Sequence, residues 1–139
     1  MQLRLRKFSL SVKRAGAKAI EPAERDIQKA ILDYLERSGY TVWRQNLGGV
    51  IVHNANGISR RKNPMTGFPD LAGIFKLRPG RMFVIEVKTK RGRVSKEQTS
   101  WLARLYAAGV ATCVARSLDD VVAFLQAHDR REDGRAIPD

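Results

Sequence analysis

The sequence has a single cysteine and no long apolar run, and both absences narrow what the protein can be. Among its 139 residues only Cys113 carries a thiol, which excludes an internal disulfide and a cysteine-based zinc site. No run of roughly 18 apolar residues is present, so we expect no transmembrane helix. Residues 1–7 mix apolar with basic side chains. We therefore expect no secretory signal there and a cytoplasmic location.

Acidic residues are scarce over most of the chain. There are 26 Lys and Arg residues against 14 Asp and Glu residues, which gives a net charge of +12. Residues 1–20 and 37–69 contain basic residues and no acid, and Glu86 is the single acid within residues 71–96. Such a surplus predicts a polyanionic partner, most simply nucleic acid. An anionic membrane surface is the alternative; the absence of a long basic amphipathic helix weakens it, so we expect no membrane partner.

The apolar pattern predicts one folded domain of mixed secondary structure. An apolar share of 43% is enough to build a core. We assign residues 1–20 to a basic N-terminal arm, 21–128 to the folded domain and 129–139 to a polar tail. The expected order is a helix from Pro22 to Gly39, strands over 40–47 and 50–52, a loop over 54–69, a hairpin over 70–88, a helix from Ser95 to Gly109, a strand over 110–115 and a helix from Ser117. This order is typical of an α/β or α+β sandwich.

The large apolar side chains are expected to pack in the core. Helical spacing predicts that the second helix buries Trp101, Leu102, Leu105 and Tyr106. Trp43 and Trp101 are interpreted as core residues in preference to base-stacking platforms, and Cys113 as a residue of a buried strand.

Two acids interrupt the basic stretch, at the ends of neighbouring predicted strands. Asp70 begins one strand, and Glu86 follows an apolar run in the other. If the strands pair, the two carboxylates meet at the sheet edge, and alternation puts Lys88 on the same face as Glu86. Adjacent carboxylates favour a hard cation such as Mg²⁺, and a nearby lysine can orient a water. The alternative is a surface ion pair between Glu86 and Lys88, with Asp70 merely starting a strand.

Four motifs together resemble a known family. They are, in chain order, Glu24, Gly67-Phe68-Pro69-Asp70, Glu86-Val87-Lys88 and Gln98. This set is similar to the VRR-NUC branch of the PD-(D/E)XK nuclease superfamily, over roughly residues 20–110. The resemblance implies a restriction-endonuclease-like αβββαβ core, in which helices flank a mixed central sheet. It further implies DNA endonuclease activity that depends on one or two Mg²⁺ or Mn²⁺ ions, selectivity for branched DNA such as four-way junctions, and a homodimer.

The resemblance also implies a role for each motif residue. Asp70, Glu86 and the backbone carbonyl of Val87 would bind the metal, and Lys88 would orient or deprotonate the attacking water. Glu24 would approach the metal directly or through a water; its alternative role is an acid that favours the helix dipole. Gln98 would contact the scissile region or the surroundings of Lys88, and the same side chain completes a capping box with Ser95.

Two clusters of basic residues are the predicted DNA contacts. The first, Arg60, Arg61 and Lys62, lies in the long loop, and the second, Lys90, Arg91 and Arg93, follows the strand that carries Glu86. Their alternative is a solvated basic surface. Two functions compete with the nuclease interpretation. A non-catalytic basic nucleic-acid-binding module would bind without metal, and a partner-dependent nuclease subunit would cut DNA only within a complex.

Overall fold

The structure, a computed structural model, describes residues 21–45, 50–61 and 64–132. The predicted arm and residues 133–139 of the predicted tail lie outside the described residues. The elements are α1 (Glu24–Arg37), β1 (Thr41–Arg44), β2 (Val50–Asn54), β3 (Gly57–Arg61), β4 (Leu71–Ile74), β5 (Met82–Val87), α2 (Lys96–Ala107), β6 (Ala111–Ala115) and α3 (Leu118–His128). In the described ranges, no helix is long and apolar enough to cross a membrane.

A mixed four-stranded sheet forms the centre of the fold. Its order is β1-β4-β5-β6; β4 pairs antiparallel with β1 and β5, whereas β5 and β6 run parallel. The chain order of these strands with α1 and α2 is αβββαβ, which confirms the expected mixed sheet flanked by helices. The hairpin predicted over residues 70–88 is also confirmed, as β4 and β5.

The prediction of a loop over residues 54–69 is wrong in its first half. Residues of β3 pair with β2 to make a separate two-stranded hairpin, so Arg60 and Arg61 lie on a strand. A tight turn explains the pairing. The amide of Asn56 donates to the side chain of Asn54 at 3.1 Å, and Gly57 takes a positive φ of 117°. Asn followed by Gly is a strong hairpin signal that a loop interpretation overlooks.

One face of the sheet carries the hydrophobic core. Helices α1 and α3 pack on this face and contact each other. The buried residues are Ile27, Ile31 and Leu35 of α1, Val121, Phe124 and Leu125 of α3, and Leu71, Phe75, Phe83, Ile85, Val87 and Ala115 of the sheet side. Gly73 leaves room for the Phe83 ring beside β4, since a Cβ there would stand 2.4 Å from that ring. The opposite face of β5 therefore carries the even-numbered residues, including Glu86.

Helix α2 and strand β1 are less covered than the sequence predicts. Within the described chain, none of the α2 side chains is fully buried, and Tyr106 is 73% exposed. Trp43 on the edge strand β1 is 38% exposed. The prediction that Tyr106 and Trp43 belong to the core is therefore wrong. Trp101 is half-buried, edge-on to Phe68 with ring centroids 5.1 Å apart.

Asp129, the first residue of the predicted polar tail, is buried and holds three parts of the fold together. Its carboxylate accepts hydrogen bonds from the Tyr40 hydroxyl at 2.6 Å and from the amides of Lys76 and Leu77 at 3.3 and 2.9 Å. These contacts join the end of α3 to the start of β1 and to the β4–β5 turn. Burial, together with the Asp129 carboxylate, raises the pKa of Tyr40.

Candidate active site

Asp70 and Glu86 meet at one end of the sheet. Leu71 pairs with Ile85, so continuing the antiparallel register by one residue sets Asp70 opposite Glu86. The Asp70 carboxylate also accepts a hydrogen bond from the Val87 amide at 2.8 Å. This bond fixes the carboxylate against the end of β5, where the backbone of Val87 is one of the predicted metal ligands.

Glu86 is a buried carboxylate with one oxygen left free. Its side chain is 1% exposed, and Oε1 accepts a hydrogen bond of 2.6 Å from the Gln98 side-chain amide. Among the described residues, no group donates a hydrogen bond to Oε2. Desolvation, reinforced by the neighbouring Asp70 carboxylate, raises the pKa of Glu86 to about 7. An unsatisfied buried carboxylate oxygen is costly, so a ligand for Oε2 would relieve a real penalty.

Desolvation also raises the pKa of Asp70, although the Val87 amide, Lys88 and Arg44 act in the opposite direction. Two adjacent carboxyl groups thus hold their protons more tightly than usual. A cation between them would favour the ionised form of both.

The Lys88 ammonium lies between the carboxylates of Glu86 and Glu24. Its ammonium is 3.3 Å from Glu86 Oε1 and 4.0 Å from Glu24 Oε2, and its side chain is largely buried. The backbone position of Lys88 is fixed by the sheet, because its amide donates to the Ala115 carbonyl at 2.9 Å. The start of α1 therefore reaches the site through Glu24, which contacts the lysine.

Gln98 makes hydrogen bonds on two sides, one set to Ser95 and one bond to Glu86. Its side-chain oxygen accepts a hydrogen bond from the Ser95 backbone amide at 2.8 Å, and the Gln98 backbone amide donates to the Ser95 hydroxyl at 3.1 Å. The predicted capping box is therefore confirmed. Its side-chain nitrogen at the same time reaches Glu86. The first turn of α2 is thus the element that orients Glu86.

The turn before Asp70 packs directly on the first turn of α2. Gly67 has a positive φ of 88°, and a Cβ at this position would lie 2.7 Å from the Glu97 backbone and 2.9 Å from the Gln98 amide nitrogen. A side chain would therefore push the turn away from the helix. The Gly67 turn and the α2 N-terminus form one unit, which positions both Asp70 and the amide that holds Glu86.

The donor set around Asp70 and Glu86 suits a hard cation. Both residues offer carboxylate oxygens, and Oε2 of Glu86 is the unpartnered oxygen to which a cation would bind. In the described chain, no cluster of three or more Asp, Glu, His or Cys side chains has metal-binding geometry. Any remaining ligands would therefore come from the backbone, water and substrate, an arrangement that Mg²⁺ commonly adopts.

Three of the six predicted DNA contacts lie next to this end of the sheet. Lys90, Arg91 and Arg93 are exposed and directly follow β5. The β2–β3 hairpin, which carries Arg60 and Arg61, follows β1 in the chain, and the Gln45 amide directly after β1 donates to the Asp70 carbonyl at 2.9 Å. The side chains of Arg60 and Arg61, and all of Lys62, lie outside the described residues.

One residue at the site has no counterpart in the sequence prediction. Arg116, directly after β6, donates hydrogen bonds to backbone carbonyls of the segment that follows Lys88. The parallel register of Val87 with Ala115 is the signal that would place Arg116 beside this segment.

Comparison with known proteins bears on the family and on the fold. The family model described as the VRR-NUC domain matches residues 23–119. A solved structure of a "VRR_NUC domain protein" is 18% identical, with a TM-score of 0.53; the alignment covers 76% of this chain and 87% of that one. At this identity the structure supports the fold alone. A search of curated proteins gives no significant match.

Proposed function

The chain belongs to the VRR-NUC domain family, a nuclease-type family, and from this premise we propose that it is a metal-dependent DNA endonuclease selective for branched DNA. Asp70, Glu86 and the Val87 carbonyl are the proposed ligands of one or two Mg²⁺ or Mn²⁺ ions. The observation that carries the proposal is Oε2 of Glu86, a buried and unpartnered carboxylate oxygen beside a second carboxylate. An acid with a purely structural role at this position would have both of its oxygens hydrogen-bonded.

The residues of the chain divide the work of hydrolysis among them. A bound divalent cation would act as a Lewis acid on the phosphodiester. Gln98 holds Oε1 of Glu86, which leaves Oε2 available to the cation. Lys88 is the proposed group that orients the attacking water and offsets phosphate charge. Glu24, 4.0 Å from the Lys88 ammonium, is proposed to act through a water molecule, because its carboxylate contacts the lysine side of the site.

Arg60, Arg61, Lys62, Lys90, Arg91 and Arg93 are the proposed phosphate contacts. A DNA strand at Asp70 and Glu86 would pass close to the exposed residues that follow β5. Each phosphate that is neutralised releases counterions, so binding should weaken steeply as salt rises. The proposed homodimer and the branched substrate belong together, because two symmetric strands of a four-way junction need two cuts.

The test is a cleavage assay of the full chain on four-way junction, flap, single-stranded and linear duplex DNA. Each substrate is incubated with Mg²⁺, Mn²⁺ or EDTA. We expect metal-dependent cutting, highest on the junction, that Lys88→Ala and Asp70→Ala abolish while DNA binding persists. Lys29→Ala, which removes an exposed lysine of α1, is the matched control and should cut normally. Cutting by both site variants in a contaminant-free preparation would refute the proposed mechanism.

A plasmid with an extruded cruciform separates paired from single cuts. A homodimer that makes both cuts in one encounter yields linear plasmid directly, whereas independent cuts accumulate nicked circles first. Binding without cutting under every metal condition would instead indicate the binding module or a subunit that needs a partner.

A further inference from the structure

The segment after the proposed catalytic lysine is a tight turn with two exposed cations. The amide of Gly92 donates to the Thr89 carbonyl at 3.1 Å, which closes the turn over residues 89–92. Lys90 and Arg91 occupy its corner and are both exposed. Backbone geometry at this turn therefore decides where the two positive charges stand relative to Asp70 and Glu86.

A single guanidinium nitrogen holds this turn from the neighbouring strand. Nη1 of Arg116 donates to the carbonyls of Thr89 at 2.7 Å, Gly92 at 2.7 Å and Lys90 at 3.3 Å. Nη1 has two hydrogens, so the longest of these contacts shares a hydrogen with a shorter one. The guanidinium remains charged at any pH the protein meets, and charge-assisted bonds of this kind are among the strongest in proteins.

Arg116 is itself anchored to the fold. Its amide donates to the Asp120 carboxylate at 2.8 Å, next to the Ser117 side chain that caps α3. The bonds to the turn thus connect it to the well-packed β6–α3 junction. Lys88, in contrast, is held by its own bond to Ala115, so its backbone does not depend on Arg116.

We infer that Arg116 is a positioning residue, which fixes the turn so that Lys90 and Arg91 meet the phosphates of the bound strand. The inference rests on the proposed function, in that it takes the turn as part of the DNA-binding surface. The Nη1 hydrogens of Arg116 are directed to three backbone carbonyls, so the residue acts on DNA through the turn. The residues around Arg116 in the sequence do not distinguish it from a solvated arginine.

The test compares DNA affinity and turnover in Arg116→Ala with the unaltered protein. Without the hydrogen bonds from Arg116 the turn samples more conformations. KM and the dissociation constant for duplex DNA should therefore rise about tenfold. The turnover number kcat should stay within about twofold of the unaltered value, because the Arg116 guanidinium bonds to the turn and not to Asp70, Glu86 or Lys88. Arg116→Lys retains a cation with three donors and should recover most of the affinity.

The salt dependence of binding distinguishes positioning from a direct phosphate contact. Each phosphate contact contributes about 0.9 to the slope of log affinity against log salt. Loss of both Lys90 and Arg91 contacts should lower the slope by about two, whereas loss of a contact made by Arg116 alone would lower it by about one. Introduced into a Lys90→Ala/Arg91→Ala background, Arg116→Ala should have no further effect, because the residues it positions are already absent.

Three outcomes would overturn the inference: an unchanged dissociation constant, a slope lowered by about one, or a full additional loss in the double-variant background. Arg130→Ala is the charge-matched control, since Arg130 is exposed and bonds its own helix at Gln126. Arg116→Gln replaces the alanine variant if the latter melts below the assay temperature. Binding is measured without metal by the fluorescence anisotropy of labelled duplex. Binding without cleavage by the unaltered protein would therefore refute the proposed function alone, whereas normal cleavage with an unaffected Arg116→Ala would refute this inference alone.

Discussion

Replacement of Glu86 by glutamine measures how much the buried charge lowers the free energy of unfolding, separately from the proposed role of that charge in metal binding. Glutamine keeps the shape of the side chain and an oxygen that can accept from Gln98, but it cannot ionise. In the metal-free protein the carboxylate is desolvated, has one unpartnered oxygen and lies beside Asp70. We therefore expect Glu86→Gln to be more stable than the unaltered protein at high pH, although it has lost a residue of the proposed metal site.

The sign and size of this effect follow from the raised pKa. Burial raises the pKa of Glu86 from 4.5 to about 7, so between these values the folded state binds more protons than the unfolded state. The unaltered protein consequently loses stability as pH rises from 4.5 through 7, and the loss is complete above that range. Between pH 5 and pH 8 it amounts to about 2–3 kcal/mol, and the glutamine variant is free of it.

The assay is thermal and urea unfolding of both proteins in EDTA at several pH values. The glutamine variant should gain about 5–10 °C in Tm over the unaltered protein at pH 8 relative to their difference at pH 5. Mg²⁺ at pH 8 should then stabilise the unaltered protein and leave the variant unchanged, because ligands stabilise the state that binds them. Glu36→Gln, an exposed position at the end of α1, is the control and should show neither effect. A difference between Glu86→Gln and the unaltered protein that is independent of pH would refute the reasoning.

Three further variants and one chemical treatment test other parts of the molecule. Gly67→Ala should lose about 1–2 kcal/mol from its left-handed backbone and, by displacing the α2 N-terminus, most of its cleavage. Gly80→Ala, equally left-handed but in open space, should lose stability in urea unfolding and keep full cleavage. Asp129→Ala leaves the Tyr40 hydroxyl and two amides without their acceptor, so urea unfolding should show a loss of about 2–4 kcal/mol. Burial raises the pKa of Cys113 to about 11, so a disulfide reagent at pH 8 should label it slowly in the native protein and rapidly in urea; fast native labelling would contradict this.

The arrangement of the site could be predicted in large part because its acids are exceptions to their surroundings. Asp70 and Glu86 stand in a stretch of basic residues, and strand alternation gives the face that Glu86 and Lys88 share. Antiparallel pairing of β4 with β5 then brings the carboxylates together, as expected. Their proposed roles in catalysis stay predictions until the cleavage assay is made.

Coverage by neighbouring elements could not be predicted in the same way. Helical spacing correctly places Trp101, Leu102 and Leu105 on the partly covered side of α2, but periodicity carries no information on how far a neighbour extends around the helix towards Tyr106. Helix α2 contacts the edge strand β6, where no further strand extends the cover, and Tyr106 is 73% exposed. Trp43 is exposed for the same reason, since β1 is the other edge.

Arg116 and Asp129 show why some residues of a fold leave no trace in its sequence pattern. Each bonds to backbone groups, and every residue type except proline presents the same amide and carbonyl to a partner. The identity of the partner thus depends on tertiary placement, which for Arg116 requires the parallel register of β5 with β6 and for Asp129 the meeting of α3 with the β4–β5 turn. An acidic residue within a stretch of basic residues, in contrast, can be recognised from the sequence itself. Residues that bind backbone should therefore be sought where strand register is already known, and at this site that search leads to the turn beside Lys88.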